Sequence, residues 1–365
     1  MSESNSKSDD KQDHGEQAST GDKHQTEHES PEPKRTKTKQ TTLDEHVSQK
    51  PPKSEEGDKE SEDVTEEEQP TKVNGSGEGA EQPGEEPEVP SNILEKGIIY
   101  FFIRGRINIQ DPSSVGDIAR TYMLLRPIAN DAKLGLAPLS DAGNTRLIAL
   151  PKKTLPASGR DRFMTFVEKS GASYDVIKKE FLDADDYETK TAGTRHTPAA
   201  TPVGEGVYAI TTTGRESHLV YMTTLPETLG EVQQELGLKE KGSFILSTKN
   251  PAYPGPANAQ LPQGPEFSKE IMDEFRSLRW MPTKPSHLDF PNAQILLIGE
   301  SSGIDKAVEP QDDQKKDDED PVEALEHLEE EDLKRMKHLP GDMSASIFAD
   351  LHARAKDYPK LQTTF

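Results

Sequence analysis

Two arginines and two histidines stand where they could bind an anion. Arg195 and His196 lie in a long polar loop, and Arg215 and His218 lie in the turn and second strand of a predicted β-hairpin. Guanidinium and imidazole groups bind carboxylates and phosphates well, so these side chains could form a small-ligand or catalytic site if they meet. In the alternative interpretation they lie on a solvated face, because His218 alternates with apolar neighbours along its strand.

The sequence offers little else that is typical of catalysis. It has no cysteine, which excludes disulfides, thiolate zinc sites and cysteine nucleophiles. The segment 93–300 contains His196, His218 and His287 without metal-site spacing, and it lacks phosphate-binding loops and nucleophile elbows. No pattern indicates a catalytic residue, a metal or a cofactor. The sequence therefore leaves enzymatic activity open and favours a non-enzymatic protein.

A basic island interrupts the acidic N-terminal segment. Lys34, Arg35, Lys37 and Lys39 form a cluster that import receptors read as a nuclear signal. The alternative is a chance cluster in a charged segment. Serine and threonine residues that precede proline are candidate phosphorylation sites, and these are Ser30, Thr197 and Thr201.

Charge and hydrophobicity divide the 365 residues into parts. Only 30% of them are hydrophobic and the net charge is −23, of which residues 1–92 contribute −14 and residues 93–300 only −1. Segments of low hydrophobicity and high charge cannot bury enough apolar area to offset the entropy of ordering. We therefore expect disordered acidic tails around one core domain. No apolar run is long enough to cross a bilayer.

The core, 93–300, is predicted to be a single α+β domain with a mainly antiparallel sheet. Apolar runs and alternating patterns indicate about seven strands, and several short helices separate them. The strands are Gly97–Ile103, Tyr122–Arg126, Arg146–Leu150, Val207–Thr213, Ser217–Thr224, Ser243–Thr248 and Gln294–Ile298. The predicted helices include Arg160–Lys169 and Tyr174–Leu182, each with aromatic residues on one face.

The segment after the core also divides into parts. Residues 301–320 are predicted to form an acidic linker, 321–358 a pair of helices, and 359–365 a short tail. Each helix has only a thin apolar stripe, so it needs a surface on which to dock. The sequence leaves open whether that surface belongs to the core or to a partner.

Several strings resemble an uncharacterised family of filamentous-fungal proteins often labelled "BTB domain transcription factor". They include SGRDRFMTFVEK (158–169), GTRHTPAATPVGEGVYAI (193–210) and EFRSLRWMP (274–282). The label implies a role associated with transcription. The chain has no F-x-A-H-[KR]-x-x-L stretch, which is typical of BTB domains, and no zinc finger, basic zipper or helix-turn-helix pattern.

These observations lead to one functional expectation and one alternative. The leading expectation is a nuclear, non-enzymatic protein-interaction module that meets an import receptor and a further protein partner. It does not associate with membranes or read DNA sequence directly. The alternative is an anionic-ligand-binding or enzymatic domain that uses the region of Arg195, His196, Arg215 and His218.

Overall fold

The structure is a computed structural model, and it describes residues 82–83, 92–189, 193–255, 261–309, 320–339 and 343–365. Its strands are β1 (Gln82–Pro83), β2 (Ile93–Gly105), β3 (Ile118–Ile128), β4 (Ala132–Lys133), β5 (Thr145–Leu150), β6 (Arg162–Ala172), β7 (Asp185–Thr189), β8 (Gly193–Thr197), β9 (Thr201–Thr212), β10 (Ser217–Leu225), β11 (Lys241–Lys249), β12 (Trp280–Pro282) and β13 (Gln294–Gly299). The α-helices are α1 (Tyr174–Ile177), α2 (Glu231–Leu236), α3 (Lys269–Phe275), α4 (Pro321–His338) and α5 (Met343–Asp350).

Eight antiparallel strands close into a β-barrel. Their order around the barrel is β10, β9, β2, β3, β5, β6, β13 and β11, and β11 closes the ring by pairing with β10. The short strand β12 pairs with β11 beyond the end of β10. Because side chains alternate along each strand, every strand contributes one row to the barrel interior and one row to its outer surface.

The prediction of an α+β domain with about seven strands is wrong. We predicted a helix over Arg160–Lys169, but most of this segment belongs to the strand β6. Its aromatic spacing fits a helix face, but β6 pairs with β13 on one side and with β5 on the other. This eighth strand links the two halves of the sheet, so tertiary pairing overrides the local pattern. Predicted helix Tyr174–Leu182 is confirmed as α1 followed by a π-helical turn.

Glycines and bulges allow the long strands to bend around the barrel. A β-carbon added at Gly97 would lie 2.1 Å from the carbonyl oxygen of Arg126, and one at Gly206 would lie 2.1 Å from that of Met222. No other residue tolerates so close an approach of a neighbouring backbone. Register shifts between β2 and β9, and between β5 and β6, add local twist.

Apolar side chains fill the barrel interior and form its core. Each of the eight strands contributes, and α2 adds Val232 and Leu236 at one end. Among the buried interior side chains are Ile99, Phe101, Met123, Leu125, Ile148, Val167, Tyr208, Ile210, Leu219, Tyr221, Phe244, Leu246, Ile295 and Leu297. The sequence of β2 is continuously apolar because both of its rows of side chains are buried. One row faces the barrel interior, and the other is buried in the second hydrophobic cluster on the outer surface.

A second hydrophobic cluster covers part of the barrel's outer surface. It is formed by α1 and the π-helical turn, by the segment 301–308, and by α4 and α5, which pack on the outer rows of β9, β10, β2, β3 and β5. Ile304, Ala307 and Val308 are buried, so the first part of the predicted acidic linker packs on the barrel. The predicted helical pair docks on the same chain.

Buried charges fasten the two C-terminal helices to the barrel. The Arg335 guanidinium on α4 contacts Asp332 one turn earlier, Asp350 on α5 and Glu205 on β9. Thr224 on β10 donates a hydrogen bond to Asp332 (2.7 Å). All four ionisable side chains are fully buried.

Among the described residues, no helix combines the length and the hydrophobicity that crossing a membrane requires.

Candidate functional site

The four residues predicted to bind an anion do not come together. Arg195 and His196 lie on β8, and the backbone around His196 bonds to Asn108 just past the end of β2. Arg215 and His218 lie at the opposite end of β9, in the β9–β10 turn and on β10. Ten strand residues separate these two places, about 33 Å at 3.3 Å per residue.

His218 belongs to a buried hydrogen-bond network on the outward side of β10 and β11. Its Nδ1 lies 2.9 Å from Oε2 of Glu300, and Ser243 donates a hydrogen bond to the same oxygen (2.7 Å). Burial raises the pKa of Glu300, but the hydrogen bonds from His218 and Ser243 outweigh it and hold the pKa below its usual value. His218 is fully buried. Because Glu300 directly follows β13, its bonds to His218 on β10 and Ser243 on β11 attach the start of the next segment to the barrel.

The other predicted sites divide between half-buried, buried and undescribed positions. Thr197 is half-buried on β8, whereas Thr201 is only 5% exposed. A kinase could not reach Thr201 without local opening of β9. The basic island and Ser30 lie outside the described residues.

Polar groups inside the barrel pair with one another. Arg146 contacts both carboxylate oxygens of Glu95 (2.7 and 2.8 Å), and Tyr208 donates to the same carboxylate (2.8 Å). Asp289 accepts a hydrogen bond from Arg146 (2.8 Å) at the edge of this group. Such mutual pairing offsets the cost of burying charge. Because these polar groups bond to one another, they are not available to a ligand.

One part of the barrel's outer surface carries apolar side chains that join neither core. Met164 on β6, Leu296 and Ile298 on β13, and Ile245 on β11 point outward, because their strand neighbours point into the barrel. Each is half-buried, and none belongs to, or packs against, the two hydrophobic clusters. We call these four residues the bare face.

Strand register makes the bare face continuous. Met164 lies directly opposite Leu296, and Ile298 lies directly opposite Ile245. Side chains opposite each other on one face of a sheet have β-carbons about 4.5–5.5 Å apart, so the four form one patch. Where the covering helices do meet these strands, the contacts lie away from the bare face: Glu326 of α4 pairs with Lys241 on β11, and Glu180 in the π-helical turn pairs with Lys169 on β6.

The bare face was not identified from the sequence, although a signal for it exists. In β13 the run Ile295, Leu296, Leu297, Ile298 places apolar side chains on both sides of the strand. An antiparallel strand with one solvated side reads as alternating apolar and polar residues. A continuous apolar run therefore indicates a second covered side, which the chain's own helices do not provide here.

The fold and this surface define the class: a closed eight-stranded antiparallel β-barrel with an apolar outer face that neither hydrophobic cluster of the described residues covers. A scan of protein-family models, a search of the curated proteins and a search of the solved structures each found no match for this chain.

Proposed function

We propose that this protein is an interaction module that binds another protein through the bare face. The observation that carries the proposal is the separation of Met164, Ile245, Leu296 and Ile298 from both hydrophobic cores. Contiguous exposed apolar patches on soluble proteins mark interaction sites. Burial of such side chains by a partner stabilises the complex by about 25 cal/mol for each Å² of apolar surface removed from water.

The proposed occupant is an amphipathic segment that carries acidic residues beside its apolar positions. A cation borders one end of the bare face, because Arg162 lies opposite Ile298 on the adjacent strand. Arg162 is exposed and has no ion-pair partner among the described residues. An acidic residue in the segment would meet this cation and fix its register.

Site-specific photo-crosslinking tests the proposal. A photoreactive residue replaces Met164 or Ile298 in the full-length protein, and the control carries it at Leu136, which is 47% exposed and lies outside the bare face. We expect the two bare-face positions, and not the control, to crosslink to one protein through an acidic, apolar segment. A synthetic peptide of that segment should bind the purified protein, and Leu296→Asp should weaken binding by about tenfold or more.

Two outcomes contradict this proposal. Crosslinks to a second copy of this chain would assign the bare face to self-association. Equal crosslinking from Leu136 would show that the face has no selectivity. The folded state of each variant is checked by its unfolding midpoint, because an outward-facing substitution should leave the barrel intact.

We further propose that the protein acts in the nucleus, with the basic island as its import signal. The four residues Lys34, Arg35, Lys37 and Lys39 support this, since import receptors bind short basic clusters. Replacement of all four by alanine should move a large fluorescent fusion to the cytoplasm. An unchanged nuclear distribution would contradict the assignment.

A further inference from the structure

A buried lysine faces a small cavity beyond one end of the bare face. Lys249 is the last residue of β11, and its side chain is on the outward side together with Ile245. It is only 7% exposed and lies opposite Trp280 of β12. The cavity beside it has a volume of about 160 Å³.

The Lys249 ammonium has no counter-ion among the described residues. Within the part of the chain that the structure describes, it has no hydrogen-bond or ion-pair partner. Burial lowers its pKa, and the nearby Arg279 guanidinium lowers it further. Buried lysines are ordinarily paired, and a charge without a partner is costly, so this position needs an explanation.

The walls of the cavity combine polar and apolar surface in similar amounts. Proline rings, Leu261 and the Tyr253 ring supply the apolar surface, and Gln263 and Gln294 supply amide groups. Contacts with the segment after α3 hold two of the described wall residues, Tyr253 and Pro254. The Tyr253 hydroxyl donates to Ser277 O (2.8 Å), and Arg279 donates to Pro254 O (3.1 Å).

We propose that the Lys249 pocket binds a carboxylate on a small apolar stem. Among the described residues that line the cavity, Lys249 is the one cation, so it matches a single negative charge. The Gln263 amide can donate to the second carboxylate oxygen, and the proline and tyrosine surfaces accommodate the stem. A dianionic phosphate fits this arrangement less well, because several donors normally surround a phosphate. The inference does not depend on the bare face being an interaction surface.

The carboxylate has two possible sources, a free small acid or the end of a peptide. The experiment is an NMR titration of the full-length protein that follows the Leu261 methyl groups and the Lys249 ε-carbon. Its probes are isovalerate and the peptide acetyl-Gly-Leu with a free carboxylate, and the matching amides serve as controls. Inorganic phosphate is titrated in parallel.

We expect one or both acids to bind and both amides to be silent. Lys249→Met, which keeps the apolar stem and removes the charge, should weaken binding by about tenfold or more. Lys241→Met, at the other end of the same strand, should leave binding unchanged. Tighter binding of isovalerate identifies a free acid as the source, and tighter binding of the peptide identifies a chain end.

Three results would overturn the inference. They are equal binding of acids and amides, equal binding of phosphate, and binding that survives Lys249→Met. The absence of any shift with every probe would also overturn it, because the pocket and its lysine would then have no ligand of this class.

Discussion

At the scale of single residues, His287 is buried between β11 and α3 without a charge. Its Nδ1 accepts a hydrogen bond from the backbone N–H of Lys284 (3.2 Å) and lies 2.9 Å from Thr248 Oγ1. The rings of Phe267 and Phe275 lie beside it. Burial lowers the pKa of His287 from 6.5 to about 4.

This burial makes stability depend on pH. Between about pH 4 and 6.5 the unfolded imidazole binds a proton that the folded one does not, so the free energy of unfolding rises with pH across that range. The total rise is about 3 kcal/mol, at about 1.4 kcal/mol per pH unit. His287→Asn keeps an acceptor near Nδ1 and should flatten this part of the profile in chemical denaturation. Parallel profiles for the two proteins would exclude His287 as the source.

Glu205 should produce the opposite dependence. Burial raises the pKa of Glu205 well above its usual value, the charges on Asp350 and Asp332 raise it further, and Arg335 lowers it. The folded state therefore holds a proton that the unfolded state releases above about pH 4.5, and this contribution to stability is lost as the pH rises.

Glu205→Gln imitates the protonated carboxyl and cannot ionise. Its amide can donate to Asp350, and its oxygen can accept from Arg335. We expect the free energy of unfolding of this variant to rise relative to that of the natural protein as the pH rises above about 4.5, by at most about 1.4 kcal/mol per pH unit. A difference that stays constant with pH would show that Glu205 is ionised in the folded protein.

At the scale of elements, Arg335 secures α4 on the barrel. Removal of its charge by Arg335→Met leaves the carboxylates of Asp332 and Asp350 buried without their cation. Breaking a buried ion pair in this way costs about 3–5 kcal/mol. The matched control is Lys334→Met, one residue earlier on the same helix, where the side chain is 66% exposed and pairs with Glu330. That change should cost about 0.5 kcal/mol or less.

Urea denaturation of both variants checks this prediction. A similar small effect for both would mean that the buried charge cluster does not hold the helix. A decrease in the slope of the unfolding curve for Arg335→Met would indicate that α4 detaches before the barrel unfolds.

Much of the strand content could be predicted from the sequence, and the closure could not. The apolar run of β2 and the hairpin of β9 and β10 have strong local patterns, and both predictions are confirmed. The strand β6 has aromatic residues at helical spacing, and only its two strand partners decide its structure. Without β6 the sheet stays open, so the wrong prediction for this one strand led to the wrong fold class.

The docking of α4 on the barrel could not be predicted from the sequence for a related reason. Its buried stripe runs through Leu325, Leu328, Asp332 and Arg335, so two charged residues occupy positions where a core-facing helix normally carries apolar ones. The sequence therefore predicts only a thin apolar stripe. The prediction of an anion site was wrong for a simpler reason. Loops that are neighbours in the sequence lie at opposite ends of the long strand that joins them.

At the scale of the whole molecule, the helices that the structure describes cover one part of the barrel's circumference and leave another part without a helix over it. Helices and the segment 301–308 cover the strands from β10 through β5. The outward rows of β6, β13 and β11 keep their apolar side chains half-exposed. The central claim is that this uncovered part is where a protein partner binds.

Methyl NMR of the full-length protein, titrated with the crosslinked peptide, tests that claim most directly. On β13, Leu296 and Ile298 point outward, whereas Ile295 and Leu297 point into the barrel, so one strand supplies both probe and control. We predict that the methyl signals of Met164, Ile245, Leu296 and Ile298 shift with a common dissociation constant while those of Ile295 and Leu297 stay in place. Shifts centred on the helix-covered side, or on the inward residues, would contradict the account.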